Sequence, residues 1–547
     1  MAIYTAAAGG GNWNVSATWG GAGVPTTGDI VLFDASSGNV TVTSGATCSE
    51  INFNSGTAYA GTITFANILT IAANTSFATS GNITLSPAVG FTMTGPNGIN
   101  WTSTGNLSRI FTSNGKAFNL TFNTGGNGGN TITLTGDFTI SNFGGQINTL
   151  NGSNLIINGN VSGNILAGTS SCVLAGASTT WNTGITLNRV VFNSSGTITI
   201  SGAVTCNTSI TWTSGTLVST GSTMSMLAMS SISLAGRTLN NMSFAPTSTI
   251  TTVTGDFNLT GNMSLGFGGG AMNGAGKAIV LGNVSGGGNA GTFTIEMQGT
   301  SNTILNTINQ PVIINTSGTI TVGTNCDIGN NSNLTLTAGT LNFANNLIKR
   351  GGTTTIAIGF LFTGSGNLVF SNVAFANTTH TITSNGVSFP NSVQILPSSN
   401  VSNSLTLNDN FTVLGSFSSL VGTSTNQAHT INGNSLFVRG NFIVTTTGGV
   451  IGTTTIVLEG AAPANWTSSG PIQNNFTINK SGGAIVTVGS SFTWGLANRT
   501  LTMNSPVNFL TNSTTFTLSG TPLTITNSSN SSFFNLTILA GVILNIN

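Results

Sequence analysis

Val173-Leu-Ala-Gly-Ala-Ser-Thr-Thr-Trp181 leads through Arg189-Val-Val-Phe-Asn-Ser-Ser-Gly196 into Thr197-Ile-Thr-Ile200, then Ile210-Thr-Trp212 and Thr216-Leu217. Much further along, Val457-Leu-Glu-Gly-Ala-Ala-Pro-Ala-Asn-Trp466 leads through Asn475-Phe-Thr-Ile-Asn-Lys-Ser-Gly482 into Ile485-Val-Thr-Val488, then Phe492-Thr-Trp494 and Thr500-Leu501. In both stretches apolar residues alternate with Thr, Ser or Asn, and a period of two is the mark of β-strands. The breaks are Ser-Gly, Asn-Gly and Gly-Gly, which accept positive φ or fold into local side-chain turns. The stretches read as two copies of one block, with Trp181 and Trp466 at equivalent positions.

A third version without the tryptophan runs from Ile295-Glu-Met-Gln-Gly299 through Pro311-Val-Ile-Ile-Asn-Thr-Ser-Gly318 to Thr319-Ile-Thr-Val322. Related starts lie at Asn119-Leu-Thr-Phe-Asn123, Asn241-Met-Ser-Phe244 and Asn535-Leu-Thr-Ile538. Marked by Leu120, Val191, Met242, Val312, Phe476 and Leu536, the blocks are unevenly spaced along the chain. Irregular blocks made only of strands and tight turns suit a solenoid, in which each coil needs only its neighbours for hydrogen bonding. The expected fold is all-β, an elongated parallel β-helix of irregular coils, each of roughly 20 to 25 residues stacked at about 4.8 Å. Residues 39–547 form the repeat array. Residues 1–38 form an N-terminal cap or attachment segment, covering the unpaired edge of the first coil with Trp13 and Trp19.

Composition agrees. Only 3% of the 547 residues are charged, against about 25% in ordinary domains. Glycine, at 74 residues, is roughly twice as frequent as usual. A net charge of +1 removes the self-repulsion that keeps weakly apolar chains unfolded, and stacked Asn, Thr and Ser ladders satisfy one another without charge. Ten scattered basic residues form no phosphate-binding patch, which excludes nucleic acid as a partner. The longest apolar runs, such as Ile356–Phe362, fall far short of the ~20 residues of a membrane span. The N-terminus shows no basic start and apolar core of an export signal. Cys48, Cys172, Cys206 and Cys326 lie far apart without a C-x-x-C pair, so the expectation is buried reduced thiols rather than zinc sites or disulfides.

Candidate chemistry is sparse. The two histidines, His380 and His429, sit in Thr/Asn-rich contexts and read as solvated structural residues rather than partners of a nucleophile. Asp137 and Asp256 recur in the string Thr-Gly-Asp-Phe, and Asp409 precedes Asn410-Phe411. Such recurrence implies a turn role, the carboxylate accepting backbone N–H groups. Glycosidase chemistry needs two converging carboxylates, and Glu296 and Glu459, each just before a block glycine, are the first pair to inspect. The glycine strings Gly125–Gly129 and Gly266–Gly270 lack the lysine and following helix of a phosphate loop. Paired acids for calcium coils are missing. No catalytic, cofactor or metal residue is therefore assigned. Trp181, Trp212, Trp466 and Trp494 repeat with the block and belong to the core or coil junctions. Rows of Thr-x-Thr, as at Thr62–Thr64, Thr131–Thr133 and Thr335–Thr337, also permit a flat ice-binding face, although Thr is common in any strand.

The opening Asn12-Trp-Asn-Val-Ser-Ala-Thr-Trp19 with Gly23-Val-Pro-Thr-Thr-Gly-Asp-Ile-Val31 resembles the start of extracellular β-helical proteins, including adhesins and the eight-glycine domain family. The remainder resembles Asn/Thr/Gly-rich β-strand-repeat proteins of phage virions and bacterial surface adhesins. These resemblances imply right-handed parallel β-helices used for attachment. A phage tail-fibre or tailspike-like structural protein without enzymatic activity is the expected function, made in the host cytoplasm and carried in the virion. Its expected partners are other virion subunits and a host-surface glycan or protein receptor. A secreted or cell-surface adhesin is the alternative, and a capsule-degrading spike a third. The apolar C-terminal stretch Phe533–Asn547 invites edge pairing, so a homo-oligomer is expected, a trimer by analogy with phage fibres.

Overall fold

The computed structural model describes residues 2–52, the strands and short turns between 59 and 140, and residues 143–546 apart from 228–229, 245–250, 267–270, 288–290, 330, 373–375, 397–400, 421–426, 496–497, 510–514, 521–522 and 528–534. The protein is nearly all-β, with 58% strand and 1% helix, and it is a parallel β-solenoid of about 18 turns in all. The chain divides into two compact units, Met1–Phe257 and Asn258–Asn547.

In the first unit three parallel sheets open the solenoid. One joins Ile3–Thr5, Ile30–Leu32 and Glu50–Asn52. A second joins Gly11–Asn12, Val40–Val42, Thr62–Phe65 and Thr92–Thr94. The third joins Ala46–Cys48, Leu69–Ala73, Ile99–Ser103 and Leu120–Thr124. The first 38 residues thus hydrogen-bond into the same sheets as the array. Their Trp13 and Trp19 are buried and meet edge to face at 4.8 Å. The Trp19 indole Nε1 donates to the Trp13 carbonyl at 2.6 Å, which closes the 3-10 turn Ser16–Trp19 onto the core.

In the second unit a ten-stranded parallel sheet runs from Thr307–Ile308 to Val507–Phe509, and a seven-stranded one from Phe411–Val413 to Leu544–Ile546. Another face carries Gly352–Ile356, Thr378–Thr383, Asn403–Leu407, His429–Gly433 and Val450–Ile451 in order. Side chains alternate between interior and surface, as Val486-Thr-Val488 shows with its two valines buried, so each coil lays an apolar row on the next. Phe417, Phe442, Trp466 and Val488 form one such column. Coil length varies as the block spacing implies: Leu155 pairs with Cys172 across a short coil, and Phe476 with Leu501 across a distinctly longer one.

Strand register tests the repeat directly. Trp181 pairs with Ile200 and Trp466 with Val488, the corresponding residues of the two blocks, and both tryptophans are buried. The equivalence ends one coil later. Trp212 pairs with Phe192, whereas Trp494 bridges Ile472 and pairs with Leu518. Leu217 pairs with Ile198, whereas Leu501 pairs with Phe476. A second correction concerns phase. Cys172 pairs with Val190, and Ile456 with Phe476, so Val190 rather than Val191 is the counterpart of Phe476. With a side-chain period of two, a one-residue slip exchanges the faces. The block glycine recurs because a Cβ at Gly176 or Gly299 would run into the carbonyl of the preceding coil, that of Asn158 or Leu281.

Asparagine supplies the hydrogen bonds that the turns between strands leave open. The Oδ1 of Asn164, Asn283, Asn333, Asn432 and Asn475 accepts the main-chain N–H of Thr186, Thr303, Thr353, Thr453 and Thr500 on the following coil, at 2.6 to 3.1 Å. Other asparagines point back: the Nδ2 of Asn302 and of Asn391 donates to the carbonyls of Leu281 and Gly366. Each amide has a donor and an acceptor end and can therefore staple coils in either direction. This accounts for a chain rich in Asn and nearly free of charge.

Candidate functional site

Of the carboxylates singled out from sequence, Asp409, Glu296 and Glu459 are engaged locally. Asp409 lies beside the turn of the preceding coil and accepts the N–H groups of Ser384 at 2.8 Å and Asn385 at 2.5 Å, the turn role expected of it. Asp256 is exposed at the surface, and Asp137 lies outside the described residues, as do Gly125–Gly129 and most of Gly266–Gly270. Asp29 accepts the N–H groups of Ala2 and Thr26, and Asp34 holds Ser36 and Ser37.

Glu296 and Glu459 occupy different positions. Glu296 pairs with Ile313 and Glu459 with Asn479, so Glu459 matches Gln298, and Glu296 matches Val457. Glu296 is buried, with Lys277 Nζ at 2.5 Å, Gln298 Nε2 at 2.6 Å and Asn315 Nδ2 at 2.8 Å. Burial works to raise its pKa, but these three hydrogen bonds and the lysine charge outweigh it and hold the carboxyl below its ordinary value. Glu459 bonds Arg439 at 3.0 Å, while Lys480 Nζ donates to the carbonyls of Arg439 and Glu459. Each of the two glutamates is thus held by its own basic residue.

Both histidines are buried, contrary to the solvated reading. The reason is strand parity: His380 shares the inward parity of Ile382 in Thr378–Thr383, and His429 that of Ile431 in His429–Gly433. Composition hid the group gathered around His380. Lys349 is fully buried, its ammonium donating to the carbonyls of Ser332 and Gly351. Beside it Arg350 Nε meets Asp327 Oδ2 at 2.5 Å and Arg350 Nη1 reaches the Asn372 carbonyl at 3.0 Å. Burial pushes the Lys349 amine down to about 8, against the pull of Asp327. Burial likewise raises the Asp327 carboxyl, and the nearby cations offset only part of the rise. Burial first, and then the Lys349 charge, hold His380 down to about 3. The sequence signal was the dipeptide Lys349-Arg350 in a chain almost without charge, with Lys349 at the inward parity of Leu347.

All four cysteines are free and buried, as expected. Burial raises the thiols of Cys206 and Cys326 to about 12, which makes them unreactive. Trp181, Trp466 and Trp494 are core residues. Trp212 is half-buried and carries the Arg237 guanidinium 4.7 Å from its ring centroid. A surface groove of about 310 Å³ in the second unit is lined chiefly by the hydroxyl residues Thr447, Ser469, Ser491, Thr493, Thr515 and Thr517. Its lining includes the register pair Thr493 and Thr517 on successive coils. Such a groove offers neutral donors and acceptors at coil spacing.

Among the described residues no helix is long and apolar enough to cross a membrane. Neither family models, nor curated proteins, nor solved structures match the chain.

Proposed function

We propose that this protein is a non-enzymatic structural component of a phage virion, tail fibre- or tailspike-like, that serves host attachment. The observation that carries the reading is a parallel β-solenoid held between coils by uncharged Asn, Thr and Ser side chains around four reduced, buried cysteines. A protein made in a reducing cytoplasm and used outside the cell needs a fold that dispenses with disulfides, and backbone ladders joined by side-chain amides meet that need. The resemblance of the array to Asn/Thr/Gly-rich β-strand-repeat proteins of phage virions accords with the same reading. In it the partners are other virion subunits, further copies of the chain in a trimer, and a host-surface glycan or protein. A neutral glycan would suit the hydroxyl-lined groove, where Thr and Ser can exchange hydrogen bonds with sugar hydroxyls.

The test is mass spectrometry and immunogold electron microscopy of purified phage particles from the source, together with competition of phage adsorption by the isolated protein. Labelled tails and blocked adsorption support the proposal. Label confined to the bacterial surface replaces it with the adhesin reading, and depolymerised capsule with the enzyme reading.

A further inference from the structure

The second unit contains one device twice. His380 Nδ1 accepts the main-chain N–H of Gly351 at 3.1 Å, and His429 Nδ1 accepts that of Asn403 at 3.2 Å. In each case the donor lies on the preceding coil, 29 and 26 residues back. An imidazole thus stands where a parallel ladder would place a carbonyl. Because Nδ1 accepts, each ring carries its proton on Nε2. For His429 that proton faces the Leu420 carbonyl at 3.4 Å, whereas the Nε2 of His380 is buried without a hydrogen-bond partner among the described residues. Both imidazoles therefore accept a backbone N–H from the preceding coil, and His429 alone also reaches a carbonyl on its other side.

We propose that His380 and His429 form a proton-operated latch between coils, holding Thr378–Thr383 against Gly352–Ile356 and His429–Gly433 against Asn403–Leu407 when neutral and releasing them on acidification. A proton on Nδ1 turns the acceptor into a donor aimed at a backbone N–H, which removes the rung and sets two donors against each other. The charged groups facing His380 come from the neighbouring strands: Lys349 directly, with Arg350 and its partner Asp327 beside it. No charged group among the described residues acts on His429, whose depressed pKa comes from burial. His429 is therefore released first, since the ammonium of Lys349 also opposes a charge on His380. Gly351 and Gly352, both at φ +72°, lie where the coil latched by His380 is released.

Hydrogen exchange by mass spectrometry on the full chain, corrected for intrinsic pH dependence, tests the latch. A histidine freed to its ordinary value near 6.5 raises the opening constant by about 15-fold between pH 6.5 and 5. Peptides within 350–450 should lose protection by at least that factor, while those of 143–227 keep theirs. In the double variant His380→Gln/His429→Gln, which keeps an acceptor but binds no proton, the acid response of 350–450 should vanish. Unchanged protection of the wild type down to pH 4, or equal opening in the double variant, overturns the proposal. Histidine-labelled NMR of the wild type gives a check independent of folding of the variants. The expected result is two Nε2–H tautomers that stay neutral until the segment opens, and either ring titrating near 6.5 in the closed protein would equally overturn it.

Discussion

Lys349 gives the sharpest test of the interior. It is fully buried with its ammonium on two carbonyls, and burial lowers its pKa from 10.5 to about 8. In the unfolded chain the amine stays protonated up to about pH 10.5, whereas in the fold it sheds its proton near 8. Its contribution to stability is therefore most favourable above 10.5, falls as the pH drops through that window, and is constant below 8. At about 1.4 kcal/mol per pH unit, the charged state costs the fold about 3 kcal/mol at pH 7 and about 1 at pH 10. Lys349→Met keeps the stem but leaves the Ser332 and Gly351 carbonyls without their donor, at about 1 kcal/mol each and independent of pH. The variant should be about 1 kcal/mol more stable than wild type at pH 7 and about 1 kcal/mol less stable at pH 10. Urea unfolding of both proteins in reducing buffer, followed by tryptophan fluorescence, measures this difference, and cysteine ionisation cancels from it. A stability difference that stays constant from pH 7 to 10 would refute the buried, depressed amine.

Three further outcomes are expected. Asn432→Ala removes the acceptor of the Thr453 N–H and should cost about 1 kcal/mol in chemical denaturation, while Asn432→Asp, which keeps the acceptor, should cost less. Trp466, buried and stacked on Phe476 at 4.0 Å, should lose about 3 to 5 kcal/mol on truncation to Ala; half-buried Trp212 should lose distinctly less in the same thermal melts. Thiol reagents should label none of Cys172, Cys206 and Cys326 in the native protein and all of them in denaturant, and rapid native labelling would contradict their burial.

Much of the fold was legible because alternation states strand parity residue by residue, and because Trp181 and Trp466 anchor blocks that match in register. The second tryptophans misled because Ile210-Thr-Trp212 and Phe492-Thr-Trp494 look alike locally, while coil length decides which strand each meets. Polar context misled at the histidines, since flanking threonines describe the outward face and parity alone decides where His380 points. The Lys349 group was illegible for a related reason: its members come from strands on separate coils, and no pattern within one strand announces that Asp327, Arg350 and His380 converge. The asparagine staples were foreseen as ladders but not as links from side chain to backbone, because Asn164 and Thr186 are neighbours only once the coil length is known.

The scarcity of charge follows from the same geometry. In a parallel solenoid every surface position lies about 4.8 Å from its counterpart on the next coil, so a repeated charged residue would build a column of like charges at a spacing where repulsion is appreciable even near water. Asn, Thr and Ser avoid this, since each presents both a donor and an acceptor along the column. The ion pairs among the described residues obey the same rule. Lys277 with Glu296, Arg350 with Asp327 and Arg439 with Glu459 all join opposite signs on successive coils, 19, 23 and 20 residues apart. Lys349 has no carboxylate of its own and accordingly sits buried on main-chain carbonyls with a lowered pKa. The part of the interior that departs from the neutral pattern is therefore the part where protonation can change how the coils hold together.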